Sequence, residues 1–196
     1  NVPLVRNYAK VTVVSQVASS VLTDVSFVLG NAPDRGTVAP YIVSEQTYAE
    51  YPINVTGTDS AYDTISATGY IGHEPGGLSL QNTTFAGTGD SGASFTAGTK
   101  YLYERTHVDK DKRLLTEKPT FAIIKGKFGG SASYTYYKVD FVDADSHYLN
   151  ILRNFEYRIV IKGVKSAGYN NASDAAIKAA SNNIDLAVET RDLTSI

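Results

Sequence analysis

The sequence predicts an all-β protein, with two β-sandwiches in series and one short helix. Several runs alternate apolar and polar residues with a period of two, which is the pattern of half-buried strands. The composition agrees, because 14 tyrosines stand among many Thr, Ser, Val and Gly residues, and aromatic and β-branched side chains favour strands. A single stretch, residues 173–180, has the character of a helix.

Composition and charge exclude several classes of protein. The 196 residues are 42% hydrophobic and 19% charged, as in a folded chain of one large domain or two small ones. The net charge of −2 and the scattered basic residues argue against a nucleic-acid partner. No apolar run approaches the ~20 residues of a membrane span, and the absence of Cys removes disulfides and thiolate sites. The sequence shows neither an initial Met nor a signal peptide, so we expect a mature or excised form.

The first half of the sequence has clear strands at its start and a weaker pattern after them. Residues 8–14 and 21–29 alternate in apolar character and predict two strands. Eight of the 16 glycines lie in residues 69–98, which indicates a segment rich in loops. Short strands are predicted there and just before it, at 64–71 and 78–85.

A charged connector marks the predicted domain boundary. A strand is expected at residues 99–106, and the charged residues 107–118 follow it and end at Pro119. Proline is disfavoured within a central strand. We therefore predict a first sandwich in residues 1–118 and a second in residues 119–196.

The second half of the sequence reads more clearly. Residues 120–128 and 134–142 predict a hairpin around the Gly-Gly-Ser turn at 129–131. The strand at 154–162 is expected to lie at the centre of a sheet, with one face packed on the core. The side chains predicted for that face are Phe155, Tyr157, Ile159 and Ile161.

Two polar residues precede this strand, and the helix and last strand follow it. Arg153 and Asn154 could tie a loop to the strand through hydrogen bonds, or they could be ordinary surface residues. Ser173 is the predicted N-cap of the helix. A last strand is predicted to begin at Ile184.

The motifs that could support catalysis or nucleotide binding are weak. Residues 87–92 match G-x-G-x-x-G, but a poor helix-forming sequence follows, whereas a dinucleotide site needs a helix there. Ser91 lies in a Gly-Asp-Ser-Gly sequence, yet no His lies in a recognisable partner motif for a serine nucleophile. We predict no catalytic residue, no cofactor-binding residue and no cofactor.

Acidic residues and histidines raise the question of a metal site. An EF-hand loop counted from Asp143 would need Gly at its sixth position and Glu at its twelfth, but Tyr148 and Asn154 stand there. His73, His107 and His147 lack the spacing of zinc ligands. We predict no metal site.

Candidate modification sites lie mainly in the Gly- and Ser-rich part of the chain. Ser60 and Thr64 each follow an Asp and precede an apolar residue, and we name them as candidate O-glycosylation sites. Asn54, Asn82 and Asn171 begin N-glycosylation sequons, which matter only in a eukaryotic secretory context. Chance tripeptides in a Ser/Thr-rich chain explain all five equally well.

Seven blocks of sequence stand out when they are taken together. They are VRNYAKV (5–11), NAPDRGTVAPY (31–41), YLYER (101–105), IIKGKF (123–128), YYKVDF (136–141), ILRN (151–154) and IKGVKSAGY (161–169). In the order and spacing of these blocks the chain resembles the fimbrillin-like proteins of the Bacteroidales, the subunits of type V pili.

The resemblance implies a non-enzymatic, structural subunit of a cell-surface fimbrium that serves adhesion. It implies two transthyretin-like β-sandwiches, assembly by strand exchange, and other fimbrial subunits as partners in a homo- or heteropolymer. The adhesion ligand would be a host protein or glycan. Family members also carry upstream residues that include a lipid anchor for the outer membrane. Those residues are not in this sequence, and we expect a trimmed product or a fragment.

Two further expectations concern rival functions and assembly. A surface carbohydrate-binding module is the alternative, with stacking faces supplied by Tyr101, Tyr103, Tyr134, Tyr136 and Tyr137. A hydrolase using Ser91 would need a base that the sequence does not show. The candidate strand-exchange segment consists of Arg191, Asp192, Leu193, Thr194, Ser195 and Ile196.

Overall fold

A computed structural model describes residues 8–33, 41–42, 47–48, 93–109 and 111–193, with backbone pairing alone for 41–42 and 47–48. The described part contains nine strands and one helix. Their bounds are β1 (Ala9–Ser15), β2 (Leu22–Gly30), β3 (Tyr41–Ile42), β4 (Thr47–Tyr48), β5 (Thr99–Leu102), β6 (Phe121–Phe128), β7 (Thr135–Asp140), β8 (Phe155–Val164), α1 (Ala172–Ile177) and β9 (Ile184–Asp192). The predicted all-β class with one short helix is confirmed for these residues.

Seven of the strands form two sheets. The first sheet has the order β5-β1-β8-β9, and the second has the order β2-β6-β7. All pairs are antiparallel except β1 with β8, which run parallel from Lys10 opposite Glu156 to Ser15 opposite Ile161. The two-residue strands β3 and β4 pair with each other.

The two sheets share one hydrophobic core. Val11 and Ile159 of the first sheet and Ile124 and Tyr137 of the second are all fully buried in the same cluster. The predicted alternation of β8 is confirmed, because Phe155, Tyr157, Ile159 and Ile161 pack in or against this cluster. Val160 is also buried, although it points to the opposite face of the sheet.

The outer face of the second sheet is covered as well. Val28, Ile123 and Tyr136 form a second apolar cluster with Ala172 and Ala175 of α1. The middle strand β6 is therefore buried on both faces, from Phe121 to Ile124. The continuous apolar run of β6 reflects this, since only a strand covered on both sides lacks a polar face.

The local backbone corrects the predicted helix cap and adds a bulge to the predicted strand β2. The helix begins at Ala172, and its N-cap is Asn171, whose side chain accepts from the N–H of Asp174; the predicted cap Ser173 lies within the first turn. The register of β2 shifts between Thr23 and Ser26, and Asp24 has a positive φ of 53°. Because of this bulge Leu22 packs in the same core as Phe27 and Leu29, although it is an odd number of residues away from them.

The predicted hairpin of the second half is confirmed. β6 and β7 pair antiparallel from Phe121 opposite Asp140 to Gly126 opposite Thr135. Gly129 and Gly130 have φ values of 61° and 76°. These left-handed conformations explain why two glycines stand at this turn.

Strands from both sides of the predicted boundary at residues 118 and 119 share each sheet. In the first sheet β1 pairs with β8, and in the second β2 pairs with β6. Within the described residues, the strands therefore build one sandwich. A division into 1–118 and 119–196 stays a prediction for the whole chain, because residues 1–7, 34–40, 43–46 and 49–92 lie outside the described part.

Candidate functional site

Several residues singled out in the sequence lie outside the described part of the chain. These are the candidate glycosylation sites Ser60 and Thr64, the candidate nucleophile Ser91 with its glycine loop, and His73. The short strands predicted at 64–71 and 78–85 lie there too. All of these stay predictions.

The first residues of the candidate strand-exchange segment belong to β9. Arg191 pairs with Glu156 and Asp192 pairs with Phe155 in the ladder between β9 and β8. The N–H of Leu193 donates to the carbonyl of Asn154 at 2.9 Å. Thr194, Ser195 and Ile196 lie outside the described residues. The chain thus uses the first three residues of this segment within its own sheet.

The edges of the two sheets differ in how well they are covered. On β2, Phe27 and Thr96 exchange two backbone hydrogen bonds of 2.8 and 3.0 Å. On β7, Tyr136 and Tyr169 exchange two backbone hydrogen bonds of 2.9 and 2.7 Å. The N–H of Ser181 donates to the carbonyl of Lys138 at 2.9 Å. Both edges of the second sheet are thereby partly closed.

The first sheet ends in β9, and among the described residues no backbone hydrogen bond from another segment reaches the outer edge of this strand between Ile184 and Arg191. An edge strand is the position at which a further strand can pair with a sheet. Asp185, Glu189 and Arg191 are exposed along it. Charged side chains of this kind limit indiscriminate pairing, so β9 is the best candidate for a selective strand contact.

A buried ion pair connects β8 to the segment after β5. The Nε of Arg153 lies 2.8 Å from Oε2 of Glu104, and these side chains are 4% and 2% exposed. The backbone N–H of Arg153 also donates to Oε1 of Glu104 at 3.2 Å. Arg153 and Asn154 are therefore buried residues at the start of the strand, and they are not the ordinary surface residues of the second alternative.

A second buried polar group lies beside the first, around Arg105 and His107. The guanidinium of Arg105 donates to the carbonyl of Asn31, to Thr120 and to Thr116. The Nδ1 of His107 lies 2.7 Å from the carbonyl of Leu149, and its Nε2 accepts from the N–H of Thr120 at 3.1 Å. His107 is consequently neutral with its proton on Nδ1, and both ring nitrogens are used in the fold.

We expect His107 to weaken the fold as the pH falls. Burial, followed by the charge of Arg105, lowers the pKa of His107 from 6.5 to about 3. Between these values the unfolded chain binds a proton that the folded chain does not. The contribution of neutral His107 to the free energy of unfolding is thus fully present above about pH 6.5. It is lost as the pH falls towards 3, by about 1.4 kcal/mol per pH unit. Urea unfolding at pH 7 and pH 5 is expected to show a smaller pH dependence for His107→Phe. An equal change in the free energy of unfolding between pH 7 and pH 5, in the unmodified protein and in His107→Phe, would contradict this role.

The acidic turn after β7 binds the ammonium group of a lysine. One oxygen or nitrogen from each of Asp143, Asp145 and His147 lies within 4.8 Å of the others. The Nζ of Lys112, however, lies 2.9 Å from Oδ2 of Asp143 and 3.3 Å from Nδ1 of His147. The Lys112 hydrogen bond and the backbone N–H of His147 lower the pKa of Asp143 to about 2. The turn is explained by this ammonium group.

The tyrosines considered as a glycan surface do not lie together. Tyr136 and Tyr137 are 3% and 0% exposed and belong to the two cores. Tyr134 is 39% exposed, and the ammonium groups of Lys125 and Lys127 lie 4.0 and 4.9 Å from its ring centre. Tyr101 is 61% exposed, and Tyr103 packs on Tyr8 at 4.8 Å between ring centres. The five residues therefore do not form one stacking surface.

Comparison with known proteins shows a similarity to a fimbrial protein. The major fimbrium tip subunit FimE of Porphyromonas gingivalis is 31% identical to this chain over 196 residues, which take in 98% of the chain. The chain is thus similar in sequence to part of a fimbrial subunit. This confirms the resemblance seen in the sequence blocks. The chain spans 31% of the length of FimE. No protein-family model matches the chain.

Two solved structures are also similar over most of the chain. A proposed cell adhesion protein from Bacteroides eggerthii gives a TM-score of 0.40 at 16% identity, over 94% of this chain and 55% of that protein. A second proposed cell adhesion protein, from Parabacteroides distasonis, gives a TM-score of 0.41 at 13% identity, over 96% of this chain and 59% of that protein. TM-scores this low do not establish a common fold. Among the described residues, no helix is long and apolar enough to cross a membrane.

Proposed function

We propose that this chain is a structural, non-catalytic part of a cell-surface fimbrial subunit that serves adhesion. The observation that carries the proposal is its identity of 31% to a fimbrium tip subunit across 98% of the chain. An identity spread over the whole chain is expected of a shared building block. The cell-surface fimbrium is the proposed location, with association to the outer membrane through an anchor outside this sequence.

The buried polar groups support a structural role. Glu104, Arg105, His107 and Arg153 are the acidic and basic side chains buried in the described part of the chain. Each is bonded to another buried group or to backbone, as the ion pair and the His107 contacts show. A catalytic acid or base needs access to a substrate proton. These four side chains instead stiffen the sandwich.

We further propose that other fimbrial subunits join this one by strand exchange through residues 191–196. The support comes from the position of the segment at the end of an edge strand, where Arg191 and Asp192 are exposed. A strand that leaves its own edge can pair with the edge of a neighbour at little cost, because equivalent backbone hydrogen bonds are made in both places. The outer edge of β9 offers a place for such pairing.

Deletion of residues 191–196 is expected to leave a folded protein that no longer joins polymers. The deletion removes two ladder pairs at the end of β9 and leaves the core cluster intact. Co-assembly with partner subunits would be followed by electron microscopy, and folding by thermal unfolding. A matched control replaces the same six residues by Gly and Ser, and it too is expected to fail in assembly. If either folded variant polymerises as well as the intact protein, this segment is not the donor.

A further inference from the structure

A pair of tyrosines lies on the outer face of the first sheet, where β1 meets the edge strand β5. Ala9 and Leu102 are directly opposite each other in this pairing, and both are buried in the main core. Successive side chains of a strand point to opposite faces of its sheet. The next residues in the same register, Tyr8 and Tyr103, therefore lie on the outer face and opposite each other.

The two phenol rings are in close contact. The hydroxyl oxygens of Tyr8 and Tyr103 are 3.1 Å apart and share a hydrogen bond. The ring centres are 4.8 Å apart, and the ring planes are tilted by 35°, which is near the short end of the range for aromatic pairs. Tyr8 is 42% exposed, so a reagent in the solvent reaches the pair.

The backbone holds both residues in this arrangement. The carbonyl of Tyr8 accepts from the N–H of the buried Asn154 at 3.0 Å. Strands β1 and β5 pair over four residues each. Directly after Tyr103, Glu104 is fixed by its buried ion pair with Arg153. The rings are thus placed side by side before any reaction, and such placement accelerates a reaction between two groups.

Several other tyrosines of the described chain bond to groups that are not phenols. The hydroxyls that donate to backbone carbonyls are those of Tyr137, Tyr157 and Tyr169. Joining two tyrosines requires a second phenol within contact distance. Tyr8 and Tyr103 meet this requirement, since each hydroxyl has the other as a partner.

We propose that Tyr8 and Tyr103 form a covalent dityrosine cross-link when the protein meets hydrogen peroxide and a peroxidase. Each phenol loses one electron and one proton, and the two radicals join through a C–C bond between carbons ortho to the hydroxyls. The hydrogens on the two bonded carbons then move to the oxygens, which restores both phenols. The two electrons and two protons reduce one hydrogen peroxide to two water molecules.

The product resembles the arrangement that the fold already provides. In two phenols linked at their ortho carbons, the hydroxyls flank the new bond and lie next to each other. The ring centres are then separated by one C–C bond and two ring radii, a little less than the 4.8 Å between Tyr8 and Tyr103. The inference does not rest on the fimbrial function, because it needs the tyrosine pair and the oxidant alone.

The cross-link fixes the edge strand β5 to β1. It joins residues that are 95 positions apart in sequence. A link across so long a loop restricts the unfolded chain and thereby stabilises the folded one. Oxidation is therefore expected to raise the midpoint of thermal unfolding by roughly 5 °C or more.

The test treats dilute purified protein with a haem peroxidase and hydrogen peroxide. The product is expected to be a monomer with the blue fluorescence of dityrosine. After digestion with trypsin, the peptides 7–10 and 101–105 are expected to appear joined, at the sum of their masses less two hydrogen atoms. Fragmentation of the joined peptide is expected to place the link on Tyr103 and not on Tyr101.

Two variants supply the comparison, after thermal unfolding has shown that both are folded before oxidation. Tyr103→Phe is expected to lower the yield of the joined peptide by about tenfold or more and to remove the rise in the unfolding midpoint. Tyr101→Phe is the matched control and is expected to change neither. Tyr101 lies two residues before Tyr103, is 61% exposed, and has no ring or hydroxyl partner among the described residues.

Three results would overturn the inference. These are oxidation of the protein without a joined peptide, a yield in Tyr103→Phe equal to that of the unmodified protein, and cross-links that join only separate molecules.

Discussion

Arg153→Met is expected to destabilise the fold by about 3–5 kcal/mol, because it leaves the carboxylate of Glu104 buried without its partner charge. Both side chains are almost fully excluded from water, and Glu104 accepts from both the side chain and the backbone of Arg153. Urea unfolding would measure the loss. The expected change is a lower midpoint with little change in slope.

The double variant Glu104→Leu/Arg153→Met separates this explanation from a simple loss of packing. Removing both charges also removes the desolvation cost, so this variant is expected to be clearly more stable than either single variant. Arg158→Met is the matched control. The Nη1 of Arg158 lies 3.8 Å from Oε2 of Glu189, and the two side chains are 46% and 54% exposed. Because this ion pair is exposed, Arg158→Met is expected to lower the free energy of unfolding by about 0.5 kcal/mol or less. Equal losses for Arg153→Met and Arg158→Met would contradict the account.

Gly168→Ala is expected to destabilise the protein by about 1–3 kcal/mol or more, through overpacking. A Cβ at Gly168 would overlap the carbonyl of Tyr136 and would come within 2.9 Å of Cδ1 of Tyr137. The backbone cannot give way without loss of the bonds between Tyr136 and Tyr169. These bonds close the edge of β7.

Hydrogen exchange and urea unfolding would test this expectation together. In Gly168→Ala the amides of Tyr136 and Tyr169 are expected to lose protection along with the loss of stability. Gly163→Ala is the matched control, because a Cβ there meets only Asp185, at an ordinary contact distance of 3.6 Å. Unchanged protection of both amides in Gly168→Ala would show that the close approach is not required.

The sequence predicts strands well where one face is buried and the other is wet. Apolar residues recur with a period of two in β8 and β9, and this period predicts both strands. β6 is covered by the core on one side and by α1 on the other, so its apolar run carries no such period. The helix start was misplaced by two residues because Asn171 and Ser173 are both good caps, and only the local backbone conformation decides between them.

The buried polar cluster could not be predicted from local patterns. Glu104 and Arg153 are 49 residues apart in sequence, and neither lies in a motif that would indicate the other. The pairing accompanies an isolated antiparallel bridge, in which Arg105 and Ile151 exchange two backbone hydrogen bonds of 2.8 Å and bring the two segments together. The last strand β9 is predicted from its sequence, but its position at the edge of the first sheet is known only from the structure.

The most direct test of a structural role in fimbriae is immunogold electron microscopy of cells that make the protein natively. An antibody raised against this chain is expected to label filaments outside the cell, and sheared filaments are expected to contain the protein. Antibody absorbed with the purified chain supplies the control. Label confined to the cell interior, with sheared filaments lacking the protein, would contradict the proposal.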